Sequence, residues 1–142
     1  MKPILHLSLP VADLVESQHF YVDVLGCDRG RQREGWMDVW FHGMQVTLHE
    51  QPDQVLTADQ AGVRHFGVAL SADEFDAIMA RLGDHPVRWI RPVSTDHRGT
   101  SRQQTKATVA DPSGNAIELK WYAEPAVGLE PPSDQPARTP TR

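Results

Sequence analysis

Residues 4–9 (ILHLSL) alternate apolar and other positions and predict a strand ended by Pro10. Asp13 follows as a helix cap, with Glu16 three residues later as in a capping box. Leu14, Gln18, Tyr21 and Leu25 then fall on one helical side, with Phe20 and Val24 beside them, and Gly26 stops the helix. Three extended stretches come next, at 27–32, 36–41 and 44–50, with His42-Gly43 as a tight turn between the last two. The second half restates this order. Residues 63–70 (VRHFGVAL) predict a strand, and Ser71 with Glu74 predicts a capping box. Phe75, Ile78, Met79 and Leu82 share one face of a helix that Gly83 stops. Residues 87–91, 103–110 and 115–122 read as strands, and Asp111-Pro112-Ser113-Gly114 marks a turn between the last two.

Each half is thus strand–helix–strand–strand–strand, and the registers agree. His6 stands seven residues before Asp13, and His65 six before Ser71. Halves this small are marginal alone, so two packed on each other are expected. The expected division is a first βαβββ module over 1–50, a linker over 51–62 and a second βαβββ module over 63–122. A Pro-rich tail over 123–142, with five prolines and few large apolar groups, is expected to be extended or disordered. The fold class is α+β, built of paired βαβββ modules.

Two of the seven histidines stand apart from the rest. His6 and His65 occupy matching positions of the two repeats, each read as the middle of an apolar strand. A lone strand histidine is ordinarily a packing or surface residue; two at equivalent positions point to a shared task. Glu118 interrupts the apolar last strand, on the face of Ala116 and Lys120 and opposite Ile117 and Leu119. A carboxylate there is costly unless exposed, paired or coordinating a cation. Two neutral imidazoles and one carboxylate make a facial ligand set with open positions. Such a set suits a divalent metal, Fe(II) first, with Mn, Zn, Ni or Co also compatible.

Composition narrows the function classes. The formal charge is −5 and the basic residues, eleven of fourteen of them Arg, form no run, so no nucleic-acid partner is indicated. Arg88, Arg91, Arg98 and Arg102 come nearest to a cluster, either a solvated loop rim or an anion-binding contribution to a substrate pocket. Cys27 is the only cysteine and is expected in the core rather than as a nucleophile. No apolar run is long enough for a membrane span, and the N-terminus lacks the features of a signal peptide. A cytoplasmic location, with no membrane partner, is therefore expected.

The segments ILHLSLPVADLVESQHFYVDVLG, VRHFGVALSADEFDAIM and TVADPSGNAIELKW resemble the vicinal oxygen chelate superfamily, also known as the glyoxalase/bleomycin-resistance/extradiol-dioxygenase superfamily. With the strands between them the likeness covers about residues 3–122. WMDVWFHGMQVTLHE, RHFGV and RGTSRQQTKATVADPSGNAIELKWY are most similar to short bacterial proteins described as predicted extradiol dioxygenases. The resemblance implies metal ligands at His6, His65 and Glu118. Members with a fourth ligand take it from the last strand of the first module, where Thr47 aligns with Glu118, and threonine argues against lactoylglutathione lyase activity. It also implies a homodimer with two sites, either held within each chain or shared between chains, since in such short members module one of one chain often joins module two of its partner around the metal.

The expected activity is an extradiol-dioxygenase-like oxidoreductase acting on a small molecule with two neighbouring oxygen atoms. His49, which faces the same way as Thr47, is the candidate acid–base group. Trp36, Trp40 and Trp121 either line an apolar pocket or pack the core, and Gln103 and Lys106 are candidates to reach the cleft, which the sequence alone does not fix. Gly114 and Asn115 are assigned to the turn. Alternatives are a metal-dependent isomerase or lyase, a fosfomycin-type transferase, and a non-catalytic drug-binding protein. The transferase asks for a cationic cleft and bound potassium, for which the sequence makes no clear provision. The drug-binding members lack the ligand triad.

Overall fold

The computed structural model describes residues 1–129. Strand β1 (His6–Val11) runs on through Pro10, because β1 lies at a sheet edge where a missing N–H costs no ladder bond. Asp13 caps the following helix by accepting from the Glu16 N–H, while Glu50 accepts from the Leu14 N–H. That helix, α1 (Leu14–Gln18), passes into a π-helical stretch over His19–Val24, where the Leu25 N–H reaches back five residues to Phe20. Phe20, Tyr21, Val24 and Leu25 are all buried there.

Strands β2 (Asp28–Arg33), β3 (Trp36–Phe41) and β4 (Met44–Glu50) complete the first module, and the expected 27–32, 36–41 and 44–50 agree closely. His42 and Gly43 both take positive φ, as a two-residue hairpin turn requires. The linker carries a short 3-10 turn, Pro52–Gln54, and a one-turn helix, α2 (Ala58–Ala61), begun by a capping box from Thr57 and Gln60.

In the second module β5 (Phe66–Leu70) is shorter than expected, starting after His65. Helix α3 (Ala72–Gly83) has the expected Ser71–Glu74 capping box and buries Phe75 and Leu82. Strand β6 (Arg88–Asp96) extends past Pro92, since it is an edge strand with register shifts on either side of Arg91. Strands β7 (Gln104–Ala110) and β8 (Ala116–Tyr122) follow. A last short helix, α4 (Pro125–Leu129), occupies the start of the expected tail; residues 130–142 of that tail lie outside the described residues.

The sheets have matching orders, β1-β4-β3-β2 and β5-β8-β7-β6. In each, the first strand is parallel to the last and the others are antiparallel. One face of each sheet packs on the helices. Met37, Val39, Val46, Leu48, Ala107, Val109, Ile117 and Leu119 join Phe20, Tyr21, Phe75 and Leu82 in one core, with Cys27 buried beside them. Burial pushes the Cys27 thiol up to about 12, with Asp28 adding to the rise, so it is no nucleophile at neutral pH.

The modules are joined by polar bonds at the β7–β8 turn. The buried Tyr21 hydroxyl donates to Asp111 at 2.9 Å. Asp111 also accepts from the Ser113 and Asn115 N–H groups and from the Asn115 amide. Ser113 Oγ accepts from the Ala12 N–H, and Asn115 Nδ2 donates to the Pro10 carbonyl. Asn115 therefore holds the first module as well as its own turn.

Candidate metal centre

The faces turned away from the helices carry the polar chemistry. Strand alternation puts His6 and Ser8 of β1, Gln45, Thr47 and His49 of β4, and Trp36, Asp38 and Trp40 of β3 on the first. The second has Gly67 of β5, Ala116, Glu118 and Lys120 of β8, and Lys106 and Thr108 of β7, with His65 just before β5.

Each histidine is held through Nδ1. His65 Nδ1 lies 2.8 Å from the Val63 carbonyl, which can only accept, so the neutral ring carries its proton there and keeps the Nε2 lone pair free. His65 Nε2 lies 4.0 Å from Glu118 Oε2. Two neighbouring donors each about 2.1 Å from a shared ion sit about 3.0–3.4 Å apart in a facial or tetrahedral set, so the pair would have to close by about 0.6–1.0 Å to share a metal.

The first module reaches the same tautomer by a different route. Asp38 is 1% exposed and accepts from Thr47 Oγ1 at 2.6 Å, Arg31 Nε at 2.8 Å and Gln45 Nε2 at 3.2 Å. Because the carboxylate takes the Gln45 amino group, Gln45 Oε1 is turned to His6, 3.0 Å from Nδ1. His6 Nδ1 must therefore donate, leaving Nε2 as an acceptor, 3.2 Å from Ser8 Oγ. Burial alone would raise the Asp38 pKa, but the bonds from Thr47 and Arg31 and the Arg31 charge outweigh it, and the net direction is down.

Glu118 is 8% exposed. Burial again works against its charge, but the bond and charge of Lys120, with smaller help from His65 and Lys106, hold the carboxyl below its ordinary range. Lys120 Nζ sits 2.8 Å from Glu118 Oε1, so Oε2 is the oxygen left facing His65. Gly67, directly opposite Glu118, has no room for a Cβ, which would run into the Glu118 backbone. A larger residue would push β5 and its leading His65 away from β8.

His65 and Glu118 are thus brought together, and His6 is not brought to them: among the described residues no three His, Cys, Asp or Glu side chains gather closely enough to hold an ion. The mid-strand position expected of both imidazoles fails as well. His6 begins its strand and His65 precedes its own, and both are exposed, the His65 side chain at 47%. Apolar neighbours in the sequence concealed strand ends. His49 shares the first face but pairs with Pro10 and Trp36, four residues beyond Gln45, which is about 13 Å along the strand. Trp36 and Trp40 lie on the open face, whereas Trp121 packs against the core. Gln103 accepts from the Gly99 N–H within its loop, and Lys106 lies on the open face, 2.8 Å from Asp96.

Asp38 and Gln45 were not singled out from the sequence, and Lys120 was placed on the face of Glu118 without a role. Asp38 carried the same signal as Glu118, a carboxylate in the apolar strand WMDVWF, and Lys120 stands two residues from Glu118 on the same face.

The profile of the family described as the Glyoxalase/Bleomycin resistance protein/Dioxygenase superfamily matches residues 3–119. The chain belongs to this superfamily. Among solved structures, a glyoxalase/bleomycin resistance protein/dioxygenase from Alicyclobacillus acidocaldarius superposes with a TM-score of 0.80 at 26% identity, covering 90% of this chain and 96% of that one. The genomically encoded fosfomycin resistance protein FosX from Listeria monocytogenes gives 0.70 at 15% identity, covering 85% and 93%. An integron cassette protein from the mobile metagenome of V. cholerae gives 0.61 at 23% identity, covering 87% and 97%. These last two show the fold alone. No protein of curated function matches the sequence significantly. Superfamily members commonly bind divalent metals and small molecules, often as dimers, and their activities are diverse. No helix among the described residues is long and apolar enough to cross a membrane.

Proposed function

We propose that this chain is a metal-dependent enzyme of the superfamily, an extradiol-dioxygenase-like oxidoreductase acting on a small substrate with vicinal oxygens, with His6, His65 and Glu118 as ligands. The observation that carries this reading is the common tautomer of the two histidines. Unrelated partners, a Gln45–Asp38 chain and a backbone carbonyl, both take the Nδ1 proton and leave Nε2 free. Holding the distal ring N–H of a ligating histidine is how proteins orient such ligands. The ionised Glu118, with Oε2 toward His65, supplies the negative ligand.

Since one chain holds two half-sites, the working unit is a homodimer in which the first face of one chain meets the second face of its partner. A divalent ion held there, Fe(II) by preference, would supply Lewis-acid polarisation of two substrate oxygens and an open position for dioxygen. The chain's own residues do the rest. Trp36 and Trp40 give a flat apolar wall on the first face. Lys120 and Lys106 line the second. His49, half-exposed on the first face, moves the proton for a substrate that extends along β4.

Calorimetric titration of the anaerobic protein tests the ligand set. Wild type is expected to bind about one divalent ion per chain, and His6→Ala, His65→Ala and Glu118→Gln to lose about 100-fold or more in affinity with the fold retained by circular dichroism. Unchanged affinity removes that residue from the site. Oxygen uptake with catechols on the Fe(II) form supports the oxidative reading; turnover on Mn(II) or Ni(II) without oxygen replaces it with a transferase or isomerase. That second reading gains from the cationic second face, which adds Lys106 and Lys120 to Arg88 and Arg91 of the cluster named from the sequence.

A further inference from the structure

The β6–β7 and β7–β8 pairings of the second module align its open face in rows. Arg91, Thr108 and Glu118 lie side by side across β6, β7 and β8, and Ser94, Lys106 and Lys120 form the next row. Arg88 begins a further row, opposite Ala110 and Ala116. The face carries four cations, Arg88, Arg91, Lys106 and Lys120, against two carboxylates. These are Asp96, 2.8 Å from Lys106, and Glu118, 2.8 Å from Lys120. Four less two leaves a surplus of two positive charges on one face of a chain whose formal charge is −5. A divalent ion on Glu118 would add to that surplus and compete with Lys120 for the carboxylate, so the ammonium would be available to a ligand beside the metal.

The face also borders a cavity of about 240 Å³, where His65 and Glu118 meet Arg88, Arg91 and Thr108. That volume falls below the usual range for drug-sized ligands, so it suits a small molecule or one end of a larger one. Thr108, buried between Arg91 and Glu118, adds a hydroxyl on the cavity wall. Exposed Arg88 and Arg91 at the cavity, with half-buried Lys106 and Lys120 on the same open face, together favour a compact anion, because hydrogen bonds to a charged partner are stronger than neutral ones.

We propose that this face is an anion subsite, and that the substrate carries a carboxylate in addition to its two neighbouring oxygens. Lys120 is the specificity-determining contact and Arg91 its companion. The inference rests on the metal centre proposed above and names the substrate class for it.

Two probes isolate the carboxylate: catechol, and 3,4-dihydroxybenzoate, which presents the same vicinal oxygens. Both are titrated by calorimetry into anaerobic protein loaded with saturating Fe(II), wild type and Lys120→Met. The ring substituent itself alters chelation, so the quantity read is the ratio of the two affinities in each protein. The ratio in favour of 3,4-dihydroxybenzoate is expected to fall about tenfold or more in Lys120→Met, to be kept by Lys120→Arg, and to shrink at high salt in wild type. Arg91→Met, on an exposed edge strand, provides a second variant should Lys120→Met fail to fold, and is expected to lower the ratio in the same direction. An unchanged ratio in the folded variants overturns the anion subsite and leaves the metal centre standing. Binding of neither probe by metal-loaded wild type also overturns it. A wild type that takes up no divalent ion overturns the metal centre and this inference together.

Discussion

Replacing Tyr21 by Phe removes one oxygen from the joint between the modules and nothing else. Tyr21 is fully buried and Asp111 is 3% exposed, so no water replaces the lost donor without rearrangement. A hydrogen bond to a charged acceptor contributes about 1.5–3 kcal/mol. Asp111 keeps three other donors, the N–H groups of Ser113 and Asn115 and the Asn115 amide, which argues for the lower end of that range. The expected loss is about 1.5 kcal/mol, equivalent to about 5 °C in Tm for a domain of this size. Urea unfolding followed by circular dichroism measures it, with an unchanged m-value showing that the denatured state is unaffected. A loss below about 0.5 kcal/mol would refute the reasoning, because it would mean that the Tyr21–Asp111 bond does not hold the modules together.

Two further substitutions probe the open faces. Asp38 has a depressed pKa in the folded state, so its stabilising contribution is present above its ordinary value of 3.8 and lost as pH falls through the lower folded value. Asp38→Asn is therefore expected to be less stable than wild type at neutral pH, with the gap closing in acid; a gap that is constant from pH 7 to about pH 3 contradicts the assignment. The same variant should weaken metal binding about tenfold through the loosened Gln45 and His6. His49→Ala is expected to lower kcat about 100-fold while leaving metal affinity unchanged, and equal loss of both would make His49 a ligand-shell residue instead.

Most of the fold was legible because the chain states it twice. The β3 and β4 boundaries, the His42-Gly43 turn and the Ser71–Glu74 capping box follow from local pattern and short-range hydrogen bonding. The differences come from tertiary context. β1 and β6 continue through prolines because both are edge strands, a property of sheet order that local pattern does not carry. The π-helical stretch at His19–Val24 is compatible with the same apolar spacing as an α-helix. The site was legible in part. Glu118 and His65 do face each other, but apolar neighbours made two exposed strand-end histidines look central. Asp38 and Gln45 escaped notice because their role depends on a cross-strand chain of bonds to His6. The cationic face arises from rows across β6, β7 and β8 that only the register assembles.

The account turns on two half-sites, His6 on one face and His65 with Glu118 on the other, being completed across a dimer. Mixing His6→Ala chains with Glu118→Gln chains, refolding them together and measuring bound Fe(II) tests this directly. Each variant alone is expected to hold no tight ion. In a random mixture half the dimers carry one intact site, so the account predicts about a quarter of the wild-type metal content. A mixture as empty as its parents, beside a wild type that binds metal, would contradict a site assembled from these residues across two chains.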